Sequence, residues 1–225
     1  MEIAFDGRYA GFLFDMDGTL LTSIEASQRV WGRWAAQFGL DAAAFLPNAH
    51  GMQVRDVIQH LNLPGIDPDK EAEAILAAEL ADMDGVTTIP GAGSFLAQLP
   101  AHRWAIVTSA PRALALRRLD TAGLPVPPVL VCATDVTRGK PDPSCFILAA
   151  ERLGVPVDQC LVFEDAPAGI LAAERAGATV VVVTHAHPDR GAVHANEISD
   201  YAGLSIEQTS TGPWSVSHGG RTLTD

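Results

Sequence analysis

The chain has 225 residues, of which 48% are hydrophobic and 19% charged, and its formal net charge at pH 7 is −12. This composition excludes a disordered chain and indicates one large domain, or a core with a smaller module. The negative charge argues against nucleic acid and anionic membrane as partners, because both require a basic face. No run reaches the ~18 apolar residues of a membrane span, and no signal peptide is evident, so we expect a cytoplasmic protein.

The first predicted element lies in residues 10–20, AGFLFDMDGTL. An apolar run at residues 12–14 ends in Asp15 and Asp17, followed by Gly18. Such a run is typical of a strand buried on both faces, and open α/β sheets bind ligands beyond the carboxyl ends of their strands. Two carboxylates in one small pocket require a proton or a cation between them, and Mg²⁺ is the cation that suits oxygen ligands best.

Residues 22–87 differ in composition from the first predicted strand, because they are rich in helix-forming residues and have apolar residues at helical spacing. Val30, Trp34 and Phe38 recur every four residues and predict one apolar helix face. We interpret these aromatic residues as part of a local core. The sequence therefore predicts a helical domain at residues 21–87, inserted into a core formed by residues 1–20 and 88–225.

After residue 90, predicted strands alternate with predicted helices. Apolar runs occur at residues 104–107, 129–135, 160–164 and 179–185, and helices are predicted at 111–122 and 143–153, with a shorter one from Ser94 to about Leu99. This alternation indicates βαβ units and a parallel sheet, an α/β fold of Rossmann-like type. A weaker strand is expected at 198–204, followed by a short hairpin around Gly212 and Pro213.

Polar side chains follow four of the predicted strands, at the sheet edge where the carboxyl ends meet. The groups are two carboxylate pairs, two neighbouring hydroxyls and one ammonium: Asp15 and Asp17, Glu164 and Asp165, Thr108 and Ser109, and Lys140. The only other lysine of the chain is Lys70. Carboxylates that hold a metal, beside a hydroxyl and an ammonium, suit a phosphoryl group, because its transfer requires positioning and charge neutralisation.

Four strings, FDMDGTL, VTSA, RGKPDP and FEDAPAGI, resemble in order and spacing the motifs of the haloacid dehalogenase superfamily. The resemblance spans about residues 11 to 185 and is closest to the phosphatase branch with a helical cap after the first motif. It implies a Rossmann-like core, a cap domain and a Mg²⁺-dependent phosphatase. It also implies that Asp15 is the nucleophile, which forms an aspartyl phosphate, and that Asp17 is the general acid and base.

The remaining roles follow from the same resemblance. Thr108 would hydrogen-bond the phosphoryl oxygens and Lys140 would neutralise them. Asp165 would bind Mg²⁺ together with Asp15 and the backbone carbonyl of Asp17. Glu164 would support these ligands without binding the metal itself.

The choice within the superfamily depends on a few positions. Asp17 argues against the dehalogenases, which lack the second aspartate. The cap segment at Arg55 has no lysine for the imine of the phosphonoacetaldehyde hydrolases. Ser27 stands where the β-phosphoglucomutases have a cap histidine, although Arg55 matches their phosphate-contacting arginine. HGMQVRD and WGRWAAQFGL resemble sugar-alcohol phosphatases. We therefore predict a phosphatase of small sugar or polyol phosphate monoesters, with a phosphosugar mutase as the alternative and a non-catalytic phospho-ligand-binding relic as a weaker one.

Three further side chains are expected to bind the substrate, namely Ser109, Arg55 and His50, the last because a cap loop that meets the active site should select the substrate. The arginines Arg112, Arg117 and Arg118 are interpreted as a solvated helix face. We expect a monomer or a weak homodimer whose partner is a small phosphorylated substrate. The three cysteines are interpreted as buried free thiols.

Overall fold

The computed structural model describes residues 8–186, 196–208, 212–218 and 221–222. The strands are β1 (Gly11–Phe14), β2 (Leu21–Thr22), β3 (Thr87–Thr88), β4 (Trp104–Val107), β5 (Val129–Val131), β6 (Cys160–Glu164), β7 (Thr179–Val183), β8 (Glu197–Ile198), β9 (Leu204–Gln208), β10 (Trp214–His218) and β11 (Arg221–Thr222). The helices are α1 (Ile24–Gln37), α2 (Ala42–Ala49), α3 (Val54–Leu61), α4 (Pro68–Ala81), α5 (Ala92–Leu96), α6 (Arg112–Ala122), α7 (Ser144–Leu153) and α8 (Pro167–Ala176).

A parallel sheet of six strands in the order β5-β4-β1-β6-β7-β8 forms the centre of the fold. Phe14, the last residue of β1, pairs with Ile106 of β4 on one side and with Phe163 of β6 on the other. Because β1 lies between these two strands, the segments that follow β1, β4 and β6 are neighbours at one edge. The parallel α/β fold predicted from the sequence is confirmed.

Alternate residues of β1 enter two different apolar layers, as the two-residue period of a strand requires. Phe12 and Phe14 pack into the layer that contains α5 and α6, where Phe14 stacks on Phe163 with ring centroids 4.7 Å apart. Leu13 packs into the opposite layer against α7 and α8. The sheet is therefore covered on both faces, which explains the continuous apolar runs in the sequence.

The helices α1 to α4 lie between β2 and β3 and share an apolar cluster of their own. This cluster contains Val30, Trp31, Trp34, Val57 and Ile75. β2 and β3 pair antiparallel, so the chain enters and leaves the helical segment through one short ribbon. The helical character predicted for residues 22–87 is confirmed, with α1 and α4 as its longest helices; the domain boundaries at 21–87 stay a prediction.

Local signals explain where several helices begin and end. The Asp67 carboxylate accepts a hydrogen bond from the Asp69 amide at the start of α4, and Pro68 occupies the first helical position. The expectation that Ser94 caps α5 is wrong. Gly91 is the N-cap instead, three residues before Ser94; its φ of +78° favours glycine, and a Cβ there would lie 2.6 Å from the Ala202 amide nitrogen.

The C-terminal region adds a short strand and a hairpin. The weaker strand expected at 198–204 is only Glu197–Ile198, which extends the sheet beside β7. β9 and β10 pair antiparallel, as the hairpin prediction requires, with Gly212 and Pro213 directly before β10. Within the described ranges, no helix combines the length and the apolar character needed to cross a membrane.

Candidate active site

Asp15 lies immediately beyond β1, at the edge where the three central strands end. Its amide donates a hydrogen bond to the Phe163 carbonyl, which continues the β1–β6 pairing by one residue. The side chain is buried, and Oδ1 lies 2.5 Å from Lys140 Nζ. Burial raises the pKa of Asp15 well above its ordinary value; Lys140 opposes this shift, while Glu164 and Asp165 add to it.

Lys140 is the ammonium of the site, and its side chain is only 2% exposed. Nζ donates to Asp15 Oδ1, to Glu164 Oε1 at 2.6 Å and to the Val107 carbonyl at 3.1 Å. Burial alone would lower the pKa of Lys140, but the two carboxylates outweigh it and raise that pKa above its usual range. All three ammonium hydrogens are therefore used, and Lys140 stays charged between two acidic side chains.

Glu164 is the last residue of β6 and Asp165 follows it directly, and both are completely buried. Glu164 Oε2 accepts hydrogen bonds from the amides of Asp165 and Ala166, which fixes the carboxylate in place. A Cβ at position 169 would lie 1.6 Å from Glu164 Oε1, so only glycine fits there. The turn after β1 packs just as tightly against Asp165, because a Cβ at Gly18 would lie 2.1 Å from Asp165 Oδ2.

Three of these carboxylates form a cluster that suits a hard cation. Asp15, Glu164 and Asp165 each offer an oxygen, and these atoms lie within 4.8 Å of one another. Three buried carboxylates against one lysine leave excess negative charge, and oxygen donors at such spacing are the ligands that Mg²⁺ prefers. The donor set therefore fits the predicted Mg²⁺.

Asp17 lies apart from this acidic cluster, on the turn after β1. Met16 between the two aspartates is fully buried in the apolar layer. Asp17 Oδ1 accepts a hydrogen bond from Ser23 Oγ at 2.6 Å and forms an ion pair with Arg118 Nη1 at 3.1 Å. Its carboxylate faces the cavity rather than the cluster, which leaves only its backbone carbonyl for the predicted metal contact.

Arg118 was expected on a solvated helix face, and that expectation is wrong. Its side chain is 5% exposed. Besides Asp17, it contacts Glu79 Oε1 of α4 at 3.2 Å and Ser27 Oγ of α1 at 3.2 Å. Arg118 lies three or four residues beyond Leu114 and Ala115, which are buried on the same helix face. That spacing was the available signal; the sequence alone did not reveal Glu79 as its partner.

Thr108 and Ser109 follow β4, as predicted. The Thr108 amide donates to the Val131 carbonyl, and its Oγ1 accepts a hydrogen bond from the Ala110 amide at 3.1 Å. Ser109 Oγ instead donates to the Gly51 carbonyl at 2.7 Å, so this hydroxyl joins the core to the cap loop. Both residues line the same cavity as Asp15.

His50 reaches from the end of α2 into the acidic cluster. Its Nε2 lies 2.8 Å from Asp165 Oδ2. Burial lowers the pKa of His50, but the charge of Asp165 and its hydrogen bond outweigh burial and raise that pKa to about 9. The imidazole therefore carries a positive charge at neutral pH in this arrangement. The structure brings His50 to the site, in agreement with its predicted place in the cap loop.

Arg55 is the one predicted site residue that the structure places elsewhere. Its side chain is 51% exposed, and Nε lies 2.5 Å from Asp69 Oδ1. Arg55 lies in the first turn of α3 and does not line the cavity that contains Asp15. The structure therefore does not bring Arg55 to the other predicted site residues.

A cavity of about 970 Å³ extends from the acidic cluster into the helical segment. Its floor contains Asp15, Asp17 and Thr108, and its cap side is partly apolar, with Trp31 and Leu46, and partly polar, with Ser27 and Glu79. Such a mixture is typical of a pocket for a small polar ligand.

Residues 9–177 match the family model described as haloacid dehalogenase-like hydrolase. The matched range contains every predicted site residue, and the chain therefore belongs to the haloacid dehalogenase-like hydrolase family. The family resemblance found in the four motifs is confirmed.

Individual relatives within the family can be named. The chain is 41% identical over 180 residues to hexitol phosphatase A of Escherichia coli (strain K12), covering 78% of this chain and 83% of the relative. It is 39% identical over 186 residues to validoxylamine A 7'-phosphate phosphatase of Streptomyces hygroscopicus subsp. limoneus, with 80% and 87% covered. The crystal structure of a hydrolase from Pseudomonas syringae superposes with a TM-score of 0.73 at 29% identity, covering 81% of this chain and 88% of that one.

Proposed function

We propose that this phosphoric monoester hydrolase acts on small sugar or polyol phosphates through an aspartyl-phosphate intermediate, with Mg²⁺ as cofactor. The named relatives act on a hexitol phosphate and on validoxylamine A 7'-phosphate, so a polyhydroxylated leaving group is the shared chemistry. The observation that carries the proposal is the direct contact of Asp15 with Lys140 beside the oxygens of Glu164 and Asp165.

In the first step, an Asp15 carboxylate oxygen forms a bond to phosphorus while the bond from phosphorus to the leaving oxygen breaks. Asp17 donates its proton to that oxygen, and the neutral alcohol leaves. In the second step, Asp17 takes a proton from water, which attacks phosphorus and releases phosphate and the Asp15 carboxylate. Both aspartates line the cavity, as this sequence of steps requires.

Positive charge near the phosphoryl oxygens comes from this chain's own residues. Lys140 touches Asp15 Oδ1, so its positive charge lies beside the nucleophile and can neutralise a phosphoryl oxygen there, and the Thr108 hydroxyl adds a neutral donor. Asp15 and Asp165, with the Asp17 carbonyl, would hold Mg²⁺, and Glu164 would orient Lys140. When bound, Mg²⁺ neutralises charge on the phosphoryl oxygens.

The mutase alternative requires the phosphoryl group to return to a second hydroxyl of the same sugar. Its predicted support came from Arg55, which pairs with Asp69 outside the cavity. A non-catalytic relic is expected to lack some of the catalytic residues. Here all four are present and line or adjoin one cavity: Asp15, Asp17, Thr108 and Lys140. Hydrolysis is therefore the function that these contacts favour.

The test is phosphate release by the purified protein from a panel of esters, with and without Mg²⁺. The panel contains sorbitol 6-phosphate, mannitol 1-phosphate, 2-deoxyglucose 6-phosphate and glycerol 3-phosphate. We expect Mg²⁺-dependent release that Asp15→Asn abolishes and that the exposed-site control Asp120→Asn retains. Conversion of β-glucose 1-phosphate into glucose 6-phosphate without free phosphate would overturn the proposal in favour of the mutase. Location in the cytoplasm stays a prediction.

A further inference from the structure

Three side chains from three helices meet on one wall of the cavity, and we call them the Glu79 cluster: Ser27 of α1, Glu79 of α4 and Arg118 of α6. Glu79 Oε1 accepts from Ser27 Oγ and from Arg118 Nη2, both at 3.2 Å. All three residues line the cavity that contains Asp15 and Asp17. The catalytic steps proposed above assign no role to Ser27 or Glu79.

The Glu79 cluster has unused hydrogen-bonding capacity. Both hydrogen bonds that the described part of the chain provides to Glu79 go to Oε1, which leaves Oε2 free. Arg118 Nε is buried and has no hydrogen-bond partner among the described residues. Glu79 and Arg118 are each only 5% exposed. Glu79 Oε2 is therefore the acceptor that the cluster offers to a ligand, and because unpaired buried polar groups are costly, a ligand that donates to it binds with selectivity.

The position of the cluster relative to Asp17 indicates which part of the substrate it meets. Arg118 Nη1 contacts Asp17 Oδ1 at 3.1 Å and Nη2 contacts Glu79, so the guanidinium bridges the general acid and the cluster. Asp17 acts at the leaving oxygen. We therefore expect the carbon chain attached to that oxygen to lie near Arg118, on the cavity wall that also contains Glu79.

We propose that the Glu79 cluster binds hydroxyl groups of the leaving alcohol and thereby selects polyhydroxylated substrates. This proposal rests on the proposed function, and it adds a specificity-determining role for Glu79 and Ser27. A substrate hydroxyl donates to Glu79 Oε2. The charges of Glu79 and Arg118 offset each other in their ion pair, so the cluster suits a neutral hydroxyl better than a second charged group.

The first test compares two esters that share an alkyl leaving oxygen but differ in hydroxyl content: sorbitol 6-phosphate and n-hexyl phosphate. We expect Glu79→Gln to lower kcat/KM for sorbitol 6-phosphate by about 10- to 100-fold and to leave that for n-hexyl phosphate within about 3-fold. The matched control is Glu73→Gln, an exposed carboxylate of the same helix. Equal losses for both esters would overturn the proposal, because the effect would then act through Asp17.

A binding measurement separates this proposal from the proposed function. In the Asp15→Asn background, which removes turnover, we expect Glu79→Gln to weaken sorbitol 6-phosphate binding by about 10-fold or more and inorganic phosphate binding not at all. If no ester is hydrolysed by the native protein but this Glu79-dependent binding is found, the proposed function fails and the hydroxyl subsite stands. Unchanged sorbitol 6-phosphate affinity would overturn the subsite, whatever the turnover.

Ser27→Ala provides a second variant in case Glu79→Gln does not fold. It removes one hydrogen bond to Glu79 and leaves the ion pair with Arg118 in place. We expect a loss of about 3- to 10-fold in kcat/KM for sorbitol 6-phosphate and no loss for n-hexyl phosphate. A selective gain for sorbitol 6-phosphate, or no change, would contradict the proposal.

Discussion

Arg118 Nη1 of α6 lies 3.1 Å from Asp17 Oδ1, in the turn after β1. The carboxylate that is expected to protonate the leaving group is therefore held by a residue from a different element. Ser23 Oγ binds the same oxygen at 2.6 Å. Since Asp17 is flanked by these two donors, its orientation depends on Arg118 as well as on the turn after β1. Arg118 is therefore a positioning residue for Asp17.

Replacing Arg118 by lysine keeps the charge but loses the planar fork that reaches Asp17 and Glu79 together. We expect kcat for n-hexyl phosphate to fall by about 10-fold or more, and kcat for p-nitrophenyl phosphate to fall much less. The reason is that a good leaving group needs little help from a general acid. The neighbouring Arg117→Lys, at an exposed position, is the control. Equal losses for both esters would show that Arg118 does not act through Asp17.

Lys140→Ala is expected to remove activity and to destabilise the fold. Asp15 and Glu164 would remain buried beside each other without their shared cation, which costs about 3–5 kcal/mol in the free energy of unfolding. Urea denaturation measures this loss. The control is Lys70→Ala, whose side chain is 80% exposed. A variant as stable as the native protein would contradict the ion-pair geometry described for Lys140.

Gly169→Ala is expected to displace Glu164, because the added Cβ would lie 1.6 Å from Glu164 Oε1. We expect a lower denaturation midpoint and a large loss of activity, since Glu164 holds Lys140. Gly32→Ala is the matched control, because that position lies in α1 with nothing within 4 Å of the added carbon. The control should gain up to about 1 kcal/mol of stability from helix propensity. Equal denaturation midpoints and equal activities of the two variants would contradict the close approach of Glu164 to Gly169.

Mg²⁺ binding is expected to raise the thermal midpoint, because the cation relieves repulsion among Asp15, Glu164 and Asp165. At 100 times its dissociation constant, a ligand adds about 2.7 kcal/mol to the free energy of unfolding. Differential scanning fluorimetry with and without Mg²⁺ measures the shift. Asp165→Asn should remove it, whereas Asp69→Asn, at an exposed carboxylate, should retain it. A Mg²⁺ shift that survives in Asp165→Asn would place the ion elsewhere.

The three cysteines are expected to resist alkylation in the folded protein. Burial raises the pKa of Cys132 and of Cys145 to about 11 and that of Cys160 to about 12, from an ordinary value of 9.0. Because the folded pKa values lie above the unfolded one, this contribution to stability is complete below pH 9 and is lost as pH rises toward 11 and 12. We expect slow iodoacetamide labelling at pH 8 that urea accelerates, and a falling urea midpoint between pH 9 and 11. Fast labelling without urea would contradict the burial.

Local patterns predicted the sheet and the charged edge well. The run before Asp15 and the run before Glu164 are buried strands because alternate residues must fill both apolar layers, and that requirement is visible in sequence. The alternation of strands and helices predicted a parallel sheet whose strand ends meet at one edge, whereas the pairing of β1 with β6 came only from the structure. The convergence of Asp15, Lys140 and Asp165 was therefore predictable from the motifs and their order.

The contacts between cap and core were less predictable, because they depend on how helices far apart in sequence face one another. Arg118 pairs with Glu79 across 39 positions, and no local pattern identifies that partner. Arg55 fails for the same reason, since the orientation of α3 against α4 directs it to Asp69. His50 was found because a glycine-containing cap loop is a recognisable position for substrate selection, although its contact with Asp165 was not foreseen.

The ribbon of β2 and β3 makes the helical insert exchangeable. Leu21 pairs with Thr88 and Thr22 with Thr87, so the two ends of the insert begin side by side, about 5 Å apart. Any helical segment whose termini meet at that spacing can be joined to the same sheet without moving Asp15 or Lys140. Replacement of the helical insert can therefore change which leaving group is preferred, while the residues that act on the phosphoryl group stay in place.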